Sequence, residues 1–331
     1  MIYGDVGSVW RDIDKEGLER MMNRRGMKSS LIILLAALVL IIGVFVVMAV
    51  SQSSQSLTPK EPSSVVGGNE PLEIGEPHDF FVFFINVGRA DSILIGIDGK
   101  HYLIDSGEKK SYPAIRDALN LYSVTKLDAV FITHTHSDHI GGLPEIARNY
   151  PIDALYSAEI TLLTKKGKNK LDELAFDTGL ENVYTKLNKG DTVEIADGVQ
   201  FEILGPIELN SDDDNDNSLV MMLKVNGRKL LFTGDMQFAE ENSLIGIGVD
   251  FSADVLKVGN HGNPDATSIE FANAVAPSFA VISTNTAIDT NSANLRVKRA
   301  LKGAEIYVTQ NFKSGVHLEI THTGEMIVSN P

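Results

Sequence analysis

The sequence predicts an α/β layered domain carried behind a single membrane-spanning helix, and three observations support that expectation. Strand-like and helix-like runs alternate in both halves of the C-terminal part. A long uncharged stretch lies near the N-terminus, and three histidines and an aspartate crowd the end of one apolar strand.

The uncharged stretch is Leu31 to Val50, LIILLAALVLIIGVFVVMAV, with no Pro and one Gly. As a helix it would span roughly 30 Å, the thickness of a bilayer's hydrocarbon core. It lacks the polar stripe that a buried globular helix keeps. A signal peptide's apolar stretch runs about 7–15 residues, so the length here and the thirty-residue leader favour an uncleaved anchor. Arg20, Arg24, Arg25 and Lys28 precede the span, and only Lys60 follows it within ten residues. Residues 1–30 are therefore expected in the cytoplasm and the C-terminal part outside it, in the cell membrane's extracytoplasmic space. Residues 51–78 are Ser, Pro or Gly at thirteen of twenty-eight positions and read as a flexible linker, which leaves a folded domain over 79–331.

Within that domain FFVFFINV (80–87), SILIGI (92–97) and HYLID (101–105) read as strands. Ile115, Leu119 and Tyr122 set a helical spacing over 111–123; a buried strand covers 128–133, and Gly141-Gly142 opens a further helix. The second half adds strands at 199–205, 218–225, 229–235, 254–259 and 279–284, then IYVT and VHLEIT. Helices are expected over 236–243, near 267–275 and near 291–302.

Charge and composition exclude some chemistry. The chain has no cysteine, which removes thiolate nucleophiles and thiolate metal ligands. Residues 51–331 hold 23 Lys/Arg against 39 Asp/Glu, so the exported part repels polyanions at long range. Lys165, Lys166, Lys168 and Lys170 read as a solvated loop, as does the acidic run Asp212, Asp213, Asp214 and Asp216, expected beside the metals described next.

ITHTHSDHIGG places His134, His136, Asp138 and His139 on a loop directly after the strand LDAVFI. A strand end fixes where such a loop starts while leaving it free to curl around one ion, and nitrogen and carboxylate donors at this density suit zinc, manganese or iron. His134 and His136 alternate with Thr135 and point the same way in an extended segment. His317 and His322 fall on a strand pattern with structural or exposed roles, His101 reads as a turn residue, and His78 belongs to the linker.

The pattern H-x-H-x-D-H resembles the signature of the metallo-β-lactamase fold superfamily, and its companions occur in order as LIDSG with Asp105, LLFTGD with Asp235, and VGNHG with His261. The resemblance implies a four-layer αββα sandwich over about residues 80–328 with two divalent metal ions, zinc or manganese, on one edge. It implies His134 and His136 on the first metal, Asp138, His139 and His261 on the second, Asp235 bridging both, and Asp105 supporting the ligand loop by hydrogen bonds. Asp138 and Asp235 are the implied catalytic carboxylates. The family's further histidine on the first metal has no counterpart in NSDDDNDNSLVMML, so either Asn217 or a neighbouring Asp fills the gap or the first site is weak.

Within the superfamily the hydrolase domain of ComEC-type DNA-uptake proteins is most similar, through NVGRADS (86–92), LIDSG, HTHSDHIGG, DNS (216–218), TGD and KVGNHG. Arg89-Ala90 departs from that family's Gln-Gly, and Asn260 stands where it has a second His. That likeness implies a phosphodiesterase or nuclease acting on DNA. THTHSDHIG also resembles phosphorylcholine esterases of teichoic acids, which implies a cell-surface polymer as the alternative substrate. A non-catalytic surface-binding module is a third class, against which the near-complete ligand set argues.

Overall fold

The computed structural model describes residues 77–331. The expected cytoplasmic segment, the span over 31–50 and all but the last two residues of the linker lie outside the described residues. Among those described, no helix is long and apolar enough to cross a membrane.

The chain first lays down β1 (Phe80–Ile85), β2 (Ile93–Ile97) and β3 (Lys100–Ile104) as an antiparallel meander. It then crosses through α1 (Tyr112–Leu121) to β4 (Ala129–Ile132), through α2 (Ser137–Ile140) and α3 (Leu143–Asn149) to β5 (Leu155–Ala158), and through α4 (Lys170–Thr178) to β6 (Tyr184–Leu187). Each of these crossings returns to a parallel neighbour. A second sheet mirrors this order. β7 (Thr192–Ala196), β8 (Val199–Gly205), β9 (Val220–Val225) and β10 (Arg228–Phe232) run antiparallel. Helices α5 (Phe238–Gly246), α6 (Ile269–Val275) and α7 (Leu295–Ala300) then lead to the parallel strands β11 (Val255–Lys257), β12 (Phe279–Ile282) and β13 (Glu305–Val308). The chain finally returns to the first sheet as β14 (Gly315–Ile320), antiparallel to β1, and β15 (Met326–Ser329).

Side-chain alternation sorts three cores. Phe84, Phe131, Phe201, Met221 and Phe232 meet between the sheets. The opposite faces of the same strands carry Phe83, Leu103 and Val130 against Ile115, Leu119 and Ile146 of α1 and α3. On the far side Leu231, Leu256 and Ala280 pack against Leu244, Phe271 and Val297 of α5, α6 and α7. Helix, sheet, sheet, helix is thus the layer order. Because both faces of the central strands are buried, their sequences read as unbroken apolar runs.

Several elements differ from the sequence expectation. β5, β6, β7, β15 and α4 were not expected, and the short, half-exposed β6 and β7 carry too few buried apolar positions to set a period. The folded region also begins earlier than Asp79. His78 is 6% exposed, its backbone N–H donates to Asn226 Oδ1, and its Nδ1 lies 2.6 Å from Asp98 Oδ2, so it is docked rather than part of a linker. His101 lies in β3, not in a turn.

Candidate metal centre

The site lies at the carboxyl ends of the parallel strands of both sheets, where each strand stops and its following loop is free to present side chains. The sheets touch here, where the Leu219 N–H donates to the Thr133 carbonyl at 2.9 Å; within the second sheet Ser218 Oγ accepts from the Asp235 N–H at 3.0 Å. Gly142 lets the ligand loop close on β3, since a Cβ there would stand 2.0 Å from the Ser106 carbonyl oxygen.

Four ligand atoms from Asp138, His139, Asp235 and His261 lie within 4.8 Å of one another, all buried. Asp235 Oδ2 is 3.2 Å from His139 Nε2 and 3.1 Å from His261 Nε2, and Asp138 Oδ2 is 3.3 Å from His261 Nε2. His139 Nε2, His261 Nε2 and Asp235 Oδ1 nonetheless have no hydrogen-bond partner. A buried polar atom without a partner costs about 1–3 kcal/mol, so the two ring nitrogens that face Asp235 Oδ2 mark a place built for a cation.

The far side of each ring is fixed. His139 Nδ1 bonds Asp105 Oδ2 at 2.8 Å, and His261 Nδ1 donates to the Ser283 carbonyl at 2.9 Å, which turns each Nε2 lone pair inward. Asp105 also accepts from the Thr133 N–H and hydroxyl, each at 2.8 Å, and so holds the start of the ligand loop. His261 reaches its place through a left-handed turn, with φ of 42° at Asn260 and 52° at His261.

His134 and His136 form a neighbouring group. His134 Nε2 faces His136 Nδ1 at 3.0 Å, while His134 Nδ1 is taken by the hydroxyls of Thr133 and Ser218 at 3.1 and 3.3 Å. The His134 ring is 4.1 Å from that of His139, centroid to centroid, so the two groups adjoin.

Charge follows from this packing. Burial opposes a proton on His261, and Asp235 with Asp138 overcomes it, pushing the ring up to about 9. His139 rises well above its ordinary value against burial for the same reason, through Asp235 and Asp105. Burial, with His139 beside it, drives His134 well below. Asp138 and Asp235 stay below the usual carboxylate range although burial resists, held there by His261 and His139. A cation entering the second group must displace protons from His139 and His261.

Two expectations need correction. Asn217 does not fill the gap beside His134: its Oδ1 accepts from the Asn210 N–H, and its Nδ2 donates to the Asn210 carbonyl and to Asp214 Oδ1, so both ends of the amide are held in its own loop. The acidic run is only partly a solvated loop: Asp212 is exposed, but Asp214 and Asp216 are not. Asp214 is buried and takes the Thr135 N–H at 3.0 Å, the Thr135 hydroxyl at 2.5 Å and the Leu162 N–H at 2.9 Å, which fastens the ligand loop to the rim. Asp216 is buried too, and it accepts from the Gln237 N–H that follows Asp235 by two residues. Of the lysines, Lys170 begins α4 and its Nζ donates to the Thr135 carbonyl at 2.6 Å. His317, bonded to the Tyr122 hydroxyl at 2.6 Å, and His322, beside Asp79, make their contacts outside both groups.

Sequence reasoning missed Asp91, Lys257 and the part played by Arg89. Asp91 and Lys257 stand inside the motifs NVGRADS and KVGNHG, but nothing in the sequence says that they meet. Lys257 Nζ lies 2.6 Å from Asp91 Oδ2, and both side chains are 1% exposed. Arg89 bonds Asp138 through Nη1 and approaches Asp289 through Nε at 3.4 Å.

Comparison with known proteins agrees with this geometry. A family model described as Metallo-beta-lactamase superfamily matches residues 85–287. ComE operon protein 3 of Bacillus subtilis is 25% identical over 252 residues, which is 71% of this chain and 32% of that protein. Competence protein ComA of Neisseria gonorrhoeae is 30% identical over 200 residues, 60% of this chain and 26% of that protein. The chain thus spans about a third or less of these relatives' length. Among solved structures, the metallo-beta-lactamase fold protein YhfI of Bacillus subtilis superposes with a TM-score of 0.49 at 14% identity, covering 73% of this chain and 99% of its own.

Proposed function

The chain belongs to the metallo-beta-lactamase superfamily, as a metal-dependent hydrolase related to the ComEC-type competence proteins, and from that premise we propose that it is a phosphodiesterase working with two divalent ions, zinc or manganese. We place its catalytic domain outside the cytoplasmic membrane, anchored through residues 31–50. The observation that carries the reading is the pair of adjoining ligand groups. One is His134 with His136; the other is Asp138, His139, Asp235 and His261, with ring nitrogens aimed inward and unpartnered.

In this reading Asp235 would serve both ions; His134 and His136 would hold the first, and Asp138, His139 and His261 the second. Divalent ions bound there polarise a phosphoryl oxygen and lower the pKa of water toward neutrality. The chain's own contribution is orientation. Asp105 and the Ser283 carbonyl fix the tautomers of His139 and His261. Asp91 with Lys257 locks the loop behind them, and Asp214 ties Thr135 to the rim so that His134 and His136 keep their spacing. With one histidine fewer around it, the first ion is the weaker bound, which favours harder metals such as manganese.

A phosphodiester is the substrate class: DNA by likeness to the ComEC-type relatives, or, as the alternative, a cell-surface polymer by the resemblance of THTHSDHIG to teichoic acid phosphorylcholine esterases. The test is hydrolysis by the purified full chain, reloaded with manganese or zinc, of bis-p-nitrophenyl phosphate and of nitrocefin. Faster turnover of the diester is expected. The reverse order would sink the choice of substrate, and no turnover of either with both ions bound would favour a binding module.

A further inference from the structure

Arg89 lies on the loop between β1 and β2, at the mouth of the metal centre, and its side chain is 31% exposed. Its Nη1 donates to Asp138, and its Nε faces Asp289 Oδ2 at 3.4 Å on the loop between β12 and α7. Asp289 is itself held by Asn263 Nδ2 at 3.1 Å, two residues beyond His261. The guanidinium is thus pinned from two sides, by the ligand Asp138 and by Asp289 on a loop tied to the one that bears His261. It has five N–H donors in a rigid plane, and these contacts use two of them.

The surroundings say what the remaining donors are for. Asp91, Asp105, Asp138, Asp214 and Asp235 all lie in or under the centre, and the charge of the nearby Lys257 is neutralised by Asp91. A domain with this excess of acid repels anions at long range, and ions bound within the centre would offset that only close to it, so a fixed cation at the entrance favours an anion's approach. An arginine fork matches two oxygens of one phosphoryl group, which a glutamine, the residue of the resembled family at this position, cannot do with charge.

We propose that Arg89 is the anion-binding residue of the site, presenting its free N–H edge to two non-bridging oxygens of the substrate's phosphoryl group while Asp138 and Asp289 hold the plane in place. The proposal deepens the phosphodiesterase reading and rests on it for the identity of the substrate, but not for the binding of an anion.

Two measurements separate the two claims. The first is calorimetric binding of inorganic phosphate to the full chain loaded with manganese, with metal content measured on the same samples. Arg89→Gln is expected to weaken phosphate about tenfold or more with two ions still bound, and Arg89→Lys, which retains charge without the fork, to fall between. The second is the ratio of kcat/KM for bis-p-nitrophenyl phosphate to that for neutral p-nitrophenyl acetate, expected to drop 10–100-fold in Arg89→Gln, mostly through KM. Phosphate affinity within twofold of wild type in both variants overturns the proposal. So does loss of a metal ion in Arg89→Gln with both esters slowed alike, because Arg89 would then be holding Asp138 and not substrate. Wild-type protein that binds phosphate through Arg89 yet leaves the diester intact supports the anion site and refutes the phosphodiesterase reading alone.

Discussion

Lys257 Nζ and Asp91 Oδ2 are 2.6 Å apart, buried where the end of β11 in one sheet meets the loop after β1 in the other. Lys257 also donates to the Val258 carbonyl at 3.0 Å; the Asp91 N–H donates to the Asp138 carbonyl and the Asp91 carbonyl accepts from Gly107. The pair therefore clamps the two sheets beneath His261 and the ligand helix α2. Removing one partner strands a buried charge, at a cost of about 3–5 kcal/mol. Lys257→Met should lower the urea midpoint accordingly, and the double change Lys257→Met with Asp91→Leu should recover much of that loss. A single variant as stable as wild type would show that the pair contributes nothing to holding the sheets.

Asp105 and Asp235 should separate by degree. Asp105 touches the imidazole of His139 and the start of the ligand loop, so Asp105→Ala should weaken metal binding on the order of 10–100-fold against a competing chelator. Asp235→Ala removes the ligand proposed to serve both groups and should reduce bound metal most of all. Full two-ion occupancy in Asp235→Ala, read by elemental analysis, would overturn the ligand assignment.

Metal uptake should be linked to protons. The His261 ring is held at about 9 by Asp235 and Asp138, so below that pH a metal must displace a proton from it, and another from His139. Apparent affinity should rise with pH and level off near 9, with proton release visible as a dependence of calorimetric heat on buffer ionisation enthalpy. Affinity independent of pH between 6 and 9, a window of roughly 3 pH units around the shifted ring, would mean that His261 is not a ligand.

Glu240 offers a pH test away from the ligands. Burial, with Asp216 nearby, pushes its carboxyl up to about 8 from an ordinary 4.5, although it accepts the Ile207 N–H. The folded protein thus holds this proton more tightly than the unfolded chain does. Its stabilising effect is complete below 4.5 and is lost as pH rises through about 8. Glu240→Gln preserves the acceptor without the charge, so it should raise the melting temperature at pH 8.5 and change it little at pH 4, values set on either side of that roughly 4-unit window. An equal effect at both pH values would show that the carboxyl titrates normally.

Orientation in the membrane can be checked directly. A reporter enzyme active only outside the cytoplasm, fused after residue 60, should be active, because positive charge gathers before residue 31. Activity of a cytoplasm-only reporter at the same junction would reverse the topology.

How much of this was legible beforehand depends on range. The strands of the double-sheet core announce themselves through unbroken apolar runs, such as FFVFFI and AVFI, because burial on both faces is written locally. The crowding of His134, His136, Asp138 and His139 is equally local. What the sequence hides is pairing across distance: Asp91 with Lys257, and Thr135 with Asp214, separated by 79 positions. Acidity misled in the same way. Asp212 to Asp216 looks like a solvated run, yet Asp214 and Asp216 point inward because backbone N–H groups of the ligand loop, the rim and α5 need acceptors there. Asn217, an attractive ligand on paper, is spent on the backbone of the same loop.

Among the described residues, the first strand is also the one that waits longest for a neighbour. β1 finds β2 at once, but its other edge is completed by β14, where Phe80 meets Ile320. During synthesis a ribosome must therefore release the chain through β14 before β1, which leads into Arg89 and Asp91, has both neighbours. Pairing across such a sequence distance carries a loop-closure cost that slows folding. Nascent chains thus contain Arg89 and the histidine cluster long before they contain His261 and Asp289, so the two halves of the centre meet late.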